Sequence, residues 1–102
     1  MKEKRRKLIV VRGTDGEITI YFRPGVFRPD IGQMRQVIGG LLFAGHCTGT
    51  DISRVSKGEV KLYFNPLVNT KDDRRYAVNA VKATLKSDSP QAVIIDQRPR
   101  PS

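Results

Sequence analysis

Gly16-Glu17-Ile18-Thr19-Ile20-Tyr21-Phe22-Arg23-Pro24 is echoed further along the chain by Gly58-Glu59-Val60-Lys61-Leu62-Tyr63-Phe64-Asn65-Pro66. Both stretches alternate apolar and polar side chains, which is the period of a strand buried on one face. Ile18, Ile20 and Phe22 therefore share one face, with Thr19, Tyr21 and Arg23 on the other. Likewise Val60, Leu62 and Phe64 oppose Lys61, Tyr63 and Asn65. Pro24 and Pro66 end the two strands, because proline has no N–H to give to a ladder. At the same offset Arg12 matches Arg54, Val26 matches Val68 and Asp30 matches Asp72, and an apolar helical pattern follows each copy. The chain reads as an internal pseudo-repeat.

Working outward, each copy opens with a pair of extended runs. Leu8 to Arg12 meets Ile18 to Arg23 across Gly13-Thr14-Asp15-Gly16, where Asp-Gly supplies the positive φ of a tight hairpin. In the second copy Thr50 to Val55 meets Val60 to Asn65 across Ser56-Lys57-Gly58. A helix follows each pair. Asp30 with Gln33 forms a capping arrangement, and Ile31, Met34, Ile38, Leu41, Leu42 and Gly45 fall on one helical stripe. The second helix opens at Thr70 or Asp72, packs Tyr76, Ala77, Ala80, Val81 and Thr84, and closes on Lys82 and Lys86, which suit a helix C-terminus. Ser87 to Pro90 breaks it, and Gln91 to Asp96 reads as a last buried strand.

The expected fold is α+β, with the order ββα-ββα-β and two helices on one face of a mainly antiparallel sheet. Without its first strand this order is βαββαβ, the ferredoxin-like arrangement. A conflict arises there, since the first strand of that arrangement is central and leaves no place for a hairpin partner.

At 102 residues the chain forms a single domain, residues 1–102. Residues 1–6 read as a basic N-terminal arm and residues 97–102 as a basic, proline-rich C-terminal tail. With 38% hydrophobic and 28% charged residues the composition is that of a folded protein. The unusual quantity is the charge of +9 on 11.5 kDa, with a sequence pI near 10.2. Such a charge speaks to partners rather than to fold. The apolar run Leu8 to Val11 is too short for a signal peptide or a membrane span, so no membrane partner is expected. A single cysteine, Cys47, makes no internal disulfide, which fits a reducing compartment. The expected location is the cytoplasm, and a nucleic-acid partner extends this to the nucleoid or, through a Lys4 to Lys7 address, the nucleus.

Residues that would carry catalysis are sparse. His46 is the only histidine, and its neighbour Cys47 has no further cysteine with which to complete a zinc site. Adjacent residues at a helix end diverge, so a His-Cys nucleophilic pair is not expected. Asp72 and Asp73 sit where helix N-termini favour negative charge and are read as caps. No catalytic residue, metal or cofactor is expected, and the chain reads as a non-enzyme.

Signals for binding are stronger. At 100° per residue Lys71, Arg74, Arg75, Lys82 and Lys86 share a broad face opposite the apolar stripe of the second helix. Such faces are more often merely solvated, but beyond the first turn no acid interleaves here to neutralise it. The open sheet face carries Tyr21, Arg23, Lys61 and Tyr63, with Arg12 and Arg54 nearby, a mixture that can stack bases and track a phosphate backbone. Lys57 to Phe64 resembles the ribonucleoprotein signature of the RNA recognition motif, with Ile20-Tyr21-Phe22 upstream in the place of its partner strand. The resemblance covers one and a half strands, and Glu59 and Lys61 stand where that family stacks aromatics. It does not amount to membership.

On the first helix Gly32, Gln33, Gln36, Gly40 and Phe43 lie opposite the apolar stripe, nearly without charge. An internal glycine costs about 1 kcal/mol against alanine, so close approach of a neighbouring element or of a second copy is expected. A homodimer through Gly32, Gln36, Gly40 and Phe43 is the partner so implied. The expected function is non-catalytic binding of DNA or RNA, dominated by the phosphate backbone. The alternative is an inhibitor or adaptor module whose charge seeks an acidic protein surface.

Overall fold

A computed structural model describes residues 9–87. The arm 1–6, the strand expected over 91–96 and the tail 97–102 lie outside the described residues. Strands β1 (Ile9–Gly13) and β2 (Glu17–Phe22) form the first hairpin, in register from Ile9 opposite Phe22 to Gly13 opposite Ile18. Then come β3 (Phe27–Pro29), α1 (Ile31–Ala44), β4 (Gly49–Asp51), a 3₁₀ turn at Val55–Lys57, β5 (Glu59–Tyr63), α2 (Lys71–Lys82) and β6 (Leu85–Ser87). The class is α+β. Four antiparallel strands lie in the order β1-β2-β5-β4, and β3 pairs with β6 in a separate two-stranded sheet.

The two echoing stretches lie side by side at the centre of the sheet. Thr19 faces Lys61, its own counterpart in the echo. Beyond the ladder, the Phe22 N–H donates to the Gly58 carbonyl and the Phe64 N–H to the Gly16 carbonyl, each at 2.9 Å. Gly58 has φ 87°, and a Cβ there would stand 2.2 Å from the Phe22 carbonyl oxygen, so the contact requires glycine. Away from these strands the correspondence lapses, since β3 and β6 have no counterpart in the other copy.

The apolar sides predicted by alternation, Ile20 with Phe22 and Val60 with Leu62 and Phe64, join Met34, Ile38 and Leu41 of α1 and Ala77, Val78 and Val81 of α2 in one core. Both helices begin with side-chain caps. Asp30 accepts from the Gln33 N–H at 3.1 Å. Thr70 and Asp73 complete a reciprocal capping box. α1 ends on Gly45 in the left-handed conformation, whose N–H returns to the last turn. No helix among the described residues is long and apolar enough to cross a membrane.

Several expectations are corrected. The strand expected over Thr50 to Val55 stops at Asp51, because the Asp51 carboxylate accepts from the Ser53 N–H at 2.8 Å and turns the chain. That turn sends Ile52 and Val55 against the core instead of along the sheet edge. α2 ends at Lys82 rather than Lys86: the Thr84 hydroxyl bonds the Val81 carbonyl at 2.7 Å, and Lys86 lies in β6. The ferredoxin-like order is not confirmed: β1 takes the edge beside β2, and the strand over 91–96 that this order needs lies outside the described residues. Tyr76, expected in the core, is 57% exposed, whereas Val78 is buried. Leu42 is likewise only partly covered.

Candidate nucleic-acid interface

The open face of the sheet is built in cross-strand rows. Arg12, Thr19, Lys61 and Asp51 form the central row; Tyr21 lies beside Val10 and Glu59, and Tyr63 beside Glu17 and Gly49. Strand rise sets the two tyrosines about 14 Å apart on opposite sides of the centre, so they do not form a continuous stacking platform. Between them Lys61 pairs with Glu17 at 3.4 Å, and this contact raises the lysine above its ordinary pKa. Asp51 is held below the ordinary carboxylate range, first by Ser53 and secondarily by Lys61 and Arg54. The middle of this face is close to neutral.

Along α2 the expected cations are present but engaged. The Arg74 side chain, only 17% exposed, reaches Asp15 at 3.4 Å and the Asn69 carbonyl at 3.3 Å, pinning the first hairpin turn to the start of α2. Arg75 pairs with Asp72 on the surface at 3.6 Å, and Lys86 approaches Asp30 at 3.9 Å from β6. Lys82 is also engaged. Lys71 is exposed at the first turn of the helix and forms no ion pair among the described residues.

At the end of the sheet where β2 leaves and β5 begins, the balance is different. The Phe22–Gly58 hydrogen bond sets the backbone at Arg23 against that at Lys57. Both side chains are exposed and form no ion pair among the described residues. Arg54 stands alongside, its Nε 3.3 Å from Glu59, the residue paired with Tyr21. Tyr21 is 39% exposed. β1 also enters the sheet at this end, with Ile9 opposite Phe22. Lys57 is a member of this cation cluster that sequence reasoning misses. Its signal is present in the turn 56–58, but only the β2–β5 register brings it beside Arg23.

A second cluster joins the two helices at the opposite end. His46, just past the α1 cap, places Nδ1 3.0 Å from Asp73 Oδ1, and this contact is the main cause of the lowered Asp73 pKa. Tyr76 tilts over the His46 ring with centroids 4.7 Å apart. Asn69 donates to the Gly45 carbonyl at 2.8 Å and so ties the loop before α2 to the end of α1. Sequence spacing gives no warning of this cluster, whose members His46 and Asp73 lie 27 residues apart. Cys47 beside it is buried, and desolvation raises its thiol pKa. No group of three metal-ligating side chains converges among the described residues.

No protein-family model, curated protein or solved structure matches this chain.

Proposed function

We propose that the chain is a non-catalytic nucleic-acid-binding domain that grips the phosphate backbone at the sheet end formed by Arg23, Arg54 and Lys57 around Tyr21. The observation that carries this reading is the local excess of charge. Arg23 and Lys57 have no carboxylate partner among the described residues, whereas Arg74 and Arg75 of α2 and Lys86 of β6 each have one. Phosphates would take up the free cations and release their counterions, while a base stacks on the exposed Tyr21 ring. Such a partner implies a cytoplasmic, nucleoid or nuclear location. The open face of α1 adds self-association to the reading, because nothing in the described fold approaches the Cβ positions of Gly39 and Gly40.

Labelled single- and double-stranded DNA and RNA, titrated by fluorescence anisotropy across a salt series, test this. Binding should weaken steeply with salt. Replacing Arg23, Arg54 and Lys57 together by glutamine should lower the salt slope by roughly 0.7 to 0.9 for every phosphate no longer neutralised. Arg75→Gln with Lys82→Gln should change it less. Absence of a complex with all four nucleic acids at low salt would refute the reading and favour an acidic protein partner.

A further inference from the structure

We infer that the sheet end around Tyr21 takes an unpaired guanine, stacked on the Tyr21 ring and held through its N1–H and amino group by the carboxylate of Glu59. The inference rests on the nucleic-acid reading of this site proposed above and adds the base that the site selects.

Glu59 is the residue that a site for phosphate alone does not call for, since a carboxylate set beside Arg54 repels the backbone that the cations here attract. Its position is fixed from two sides. The Phe22 N–H reaches the Gly58 carbonyl, so the next pair along, Tyr21 and Glu59, is a non-hydrogen-bonded pair of the antiparallel ladder. Side chains stand closest in such pairs, with Cα atoms about 4.5 Å apart, and both of these belong to the open face. On the other side the Glu59 N–H, turned away from β2, donates to the Arg54 carbonyl at 3.1 Å, and the Arg54 Nε donates back to Glu59 Oε1 at 3.3 Å. The carboxylate is thus tethered next to the ring, with 24% of its side chain exposed. Its second oxygen has no partner among the described residues, and the Tyr21 side chain has neither a ring contact nor a hydrogen bond there.

A base stacked on Tyr21 turns its edge towards the neighbouring strand, so edge chemistry decides which base fits. An ionised carboxylate accepts hydrogen bonds and donates none. Guanine alone sets two donors side by side, N1–H and the N2 amino group, which a carboxylate accepts as a fork. In adenine and cytosine the amino group adjoins a ring nitrogen lone pair, which faces the second carboxylate oxygen. In uracil and thymine the one ring N–H lies between two carbonyl oxygens, with the same result. A duplex spends this guanine edge on cytosine and keeps the base in its stack, so the site selects a single strand. Arg54 donates to Glu59 from Nε and keeps its two terminal nitrogens for phosphate.

Fluorescence anisotropy of the full chain with short uridine tracts, and with the matching thymidine tracts, each carrying one central guanine, adenine, cytosine or hypoxanthine, provides the test. Guanine should bind about tenfold more tightly than adenine or cytosine. Hypoxanthine, which keeps N1–H but lacks the amino group, should fall between. The ranking should be the same in RNA and DNA, because the base edge is common to both, and annealing the complementary strand should erase it. Glu59→Gln, with its fold checked by circular dichroism, should bring guanine to the level of adenine and leave the salt slope of the plain tract in place. Salt-sensitive binding with no preference among the bases would overturn the inference and leave the proposed function standing. No complex with any tract or duplex at low salt would overturn both. A guanine preference that survives Glu59→Gln, or a variant that weakens every tract alike with the ranking intact, would show that Glu59 only holds Arg54 and would overturn the inference. Equal binding of hypoxanthine and guanine by the unaltered chain would overturn it even if the variant does not fold.

Discussion

The two helices are alike where they are buried and opposite where they are not. Met34, Ile38 and Leu41 of α1 and Ala77, Val78 and Val81 of α2 serve one core. On the outside, α2 is laced with charges that hold neighbouring segments: Arg74 reaches Asp15, and Asp73 holds both Thr70 and His46. α1 carries glycines, glutamines, one arginine and a bare phenylalanine. The difference teaches that most of the charge on α2 works within the chain, and that high net charge on a helix is poor evidence of where a polyanion binds. On the reading proposed above, the cations left over at the sheet end are the better guide.

Substitutions sharpen or break this contrast. The largest effect is expected where the helices agree. Met34→Ala removes a fully buried side chain and should cost about 3 kcal/mol in urea unfolding, within the usual range for cavities. A value near zero would mean that α1 is not docked as described.

Capping comes next. Thr70→Ala removes one arm of the capping box and should cost about 1 kcal/mol. The same cap supplies an acid-side signature. Because the folded Asp73 pKa lies below its unfolded value, its contribution is present above the ordinary aspartate range and lost as pH falls through the lowered value. Melting temperature against pH should therefore fall on the acid side, and Asp73→Asn should make that fall shallower. An unchanged profile would remove Asp73 from the helix junction.

The smallest effect has the opposite sign. Gly40→Ala should stabilise the monomer by about 0.5 to 1 kcal/mol, since helix propensity rises and the site is open. Measured in dilute solution, destabilisation would show that something covers this face within the chain. The two helices would then be less different than described.

Much of the fold is legible because its signals are local. Gly13-Thr14-Asp15-Gly16 marks the first hairpin, although Gly16 does not take the positive φ expected of it; alternation sorts Ile20 from Tyr21, and Asp30 and Thr70 announce both helix starts. What escapes depends on residues distant in sequence. Tyr76 sits at the margin of the apolar arc of α2 and is drawn outward onto His46, thirty residues earlier. β4 is cut short by a side-chain bond, Asp51 to Ser53, that competes with the ladder and leaves no trace in hydrophobic periodicity. Of the proposed interface, the sequence displays Tyr21, Arg23 and Arg54. It cannot show that Glu17 quiets Lys61, or that Asp15 claims Arg74 from across the fold.

Cys47, buried between the α1 cap and β4, has a use beyond packing. Thiolate is the reactive form, and here both burial and a raised pKa withhold it. Alkylating reagent can therefore reach the sulfur only during excursions in which the region past α1 lifts from the core. The rate of modification is then a clock for those openings, written into the chain by its sole cysteine and readable by mass without any added probe.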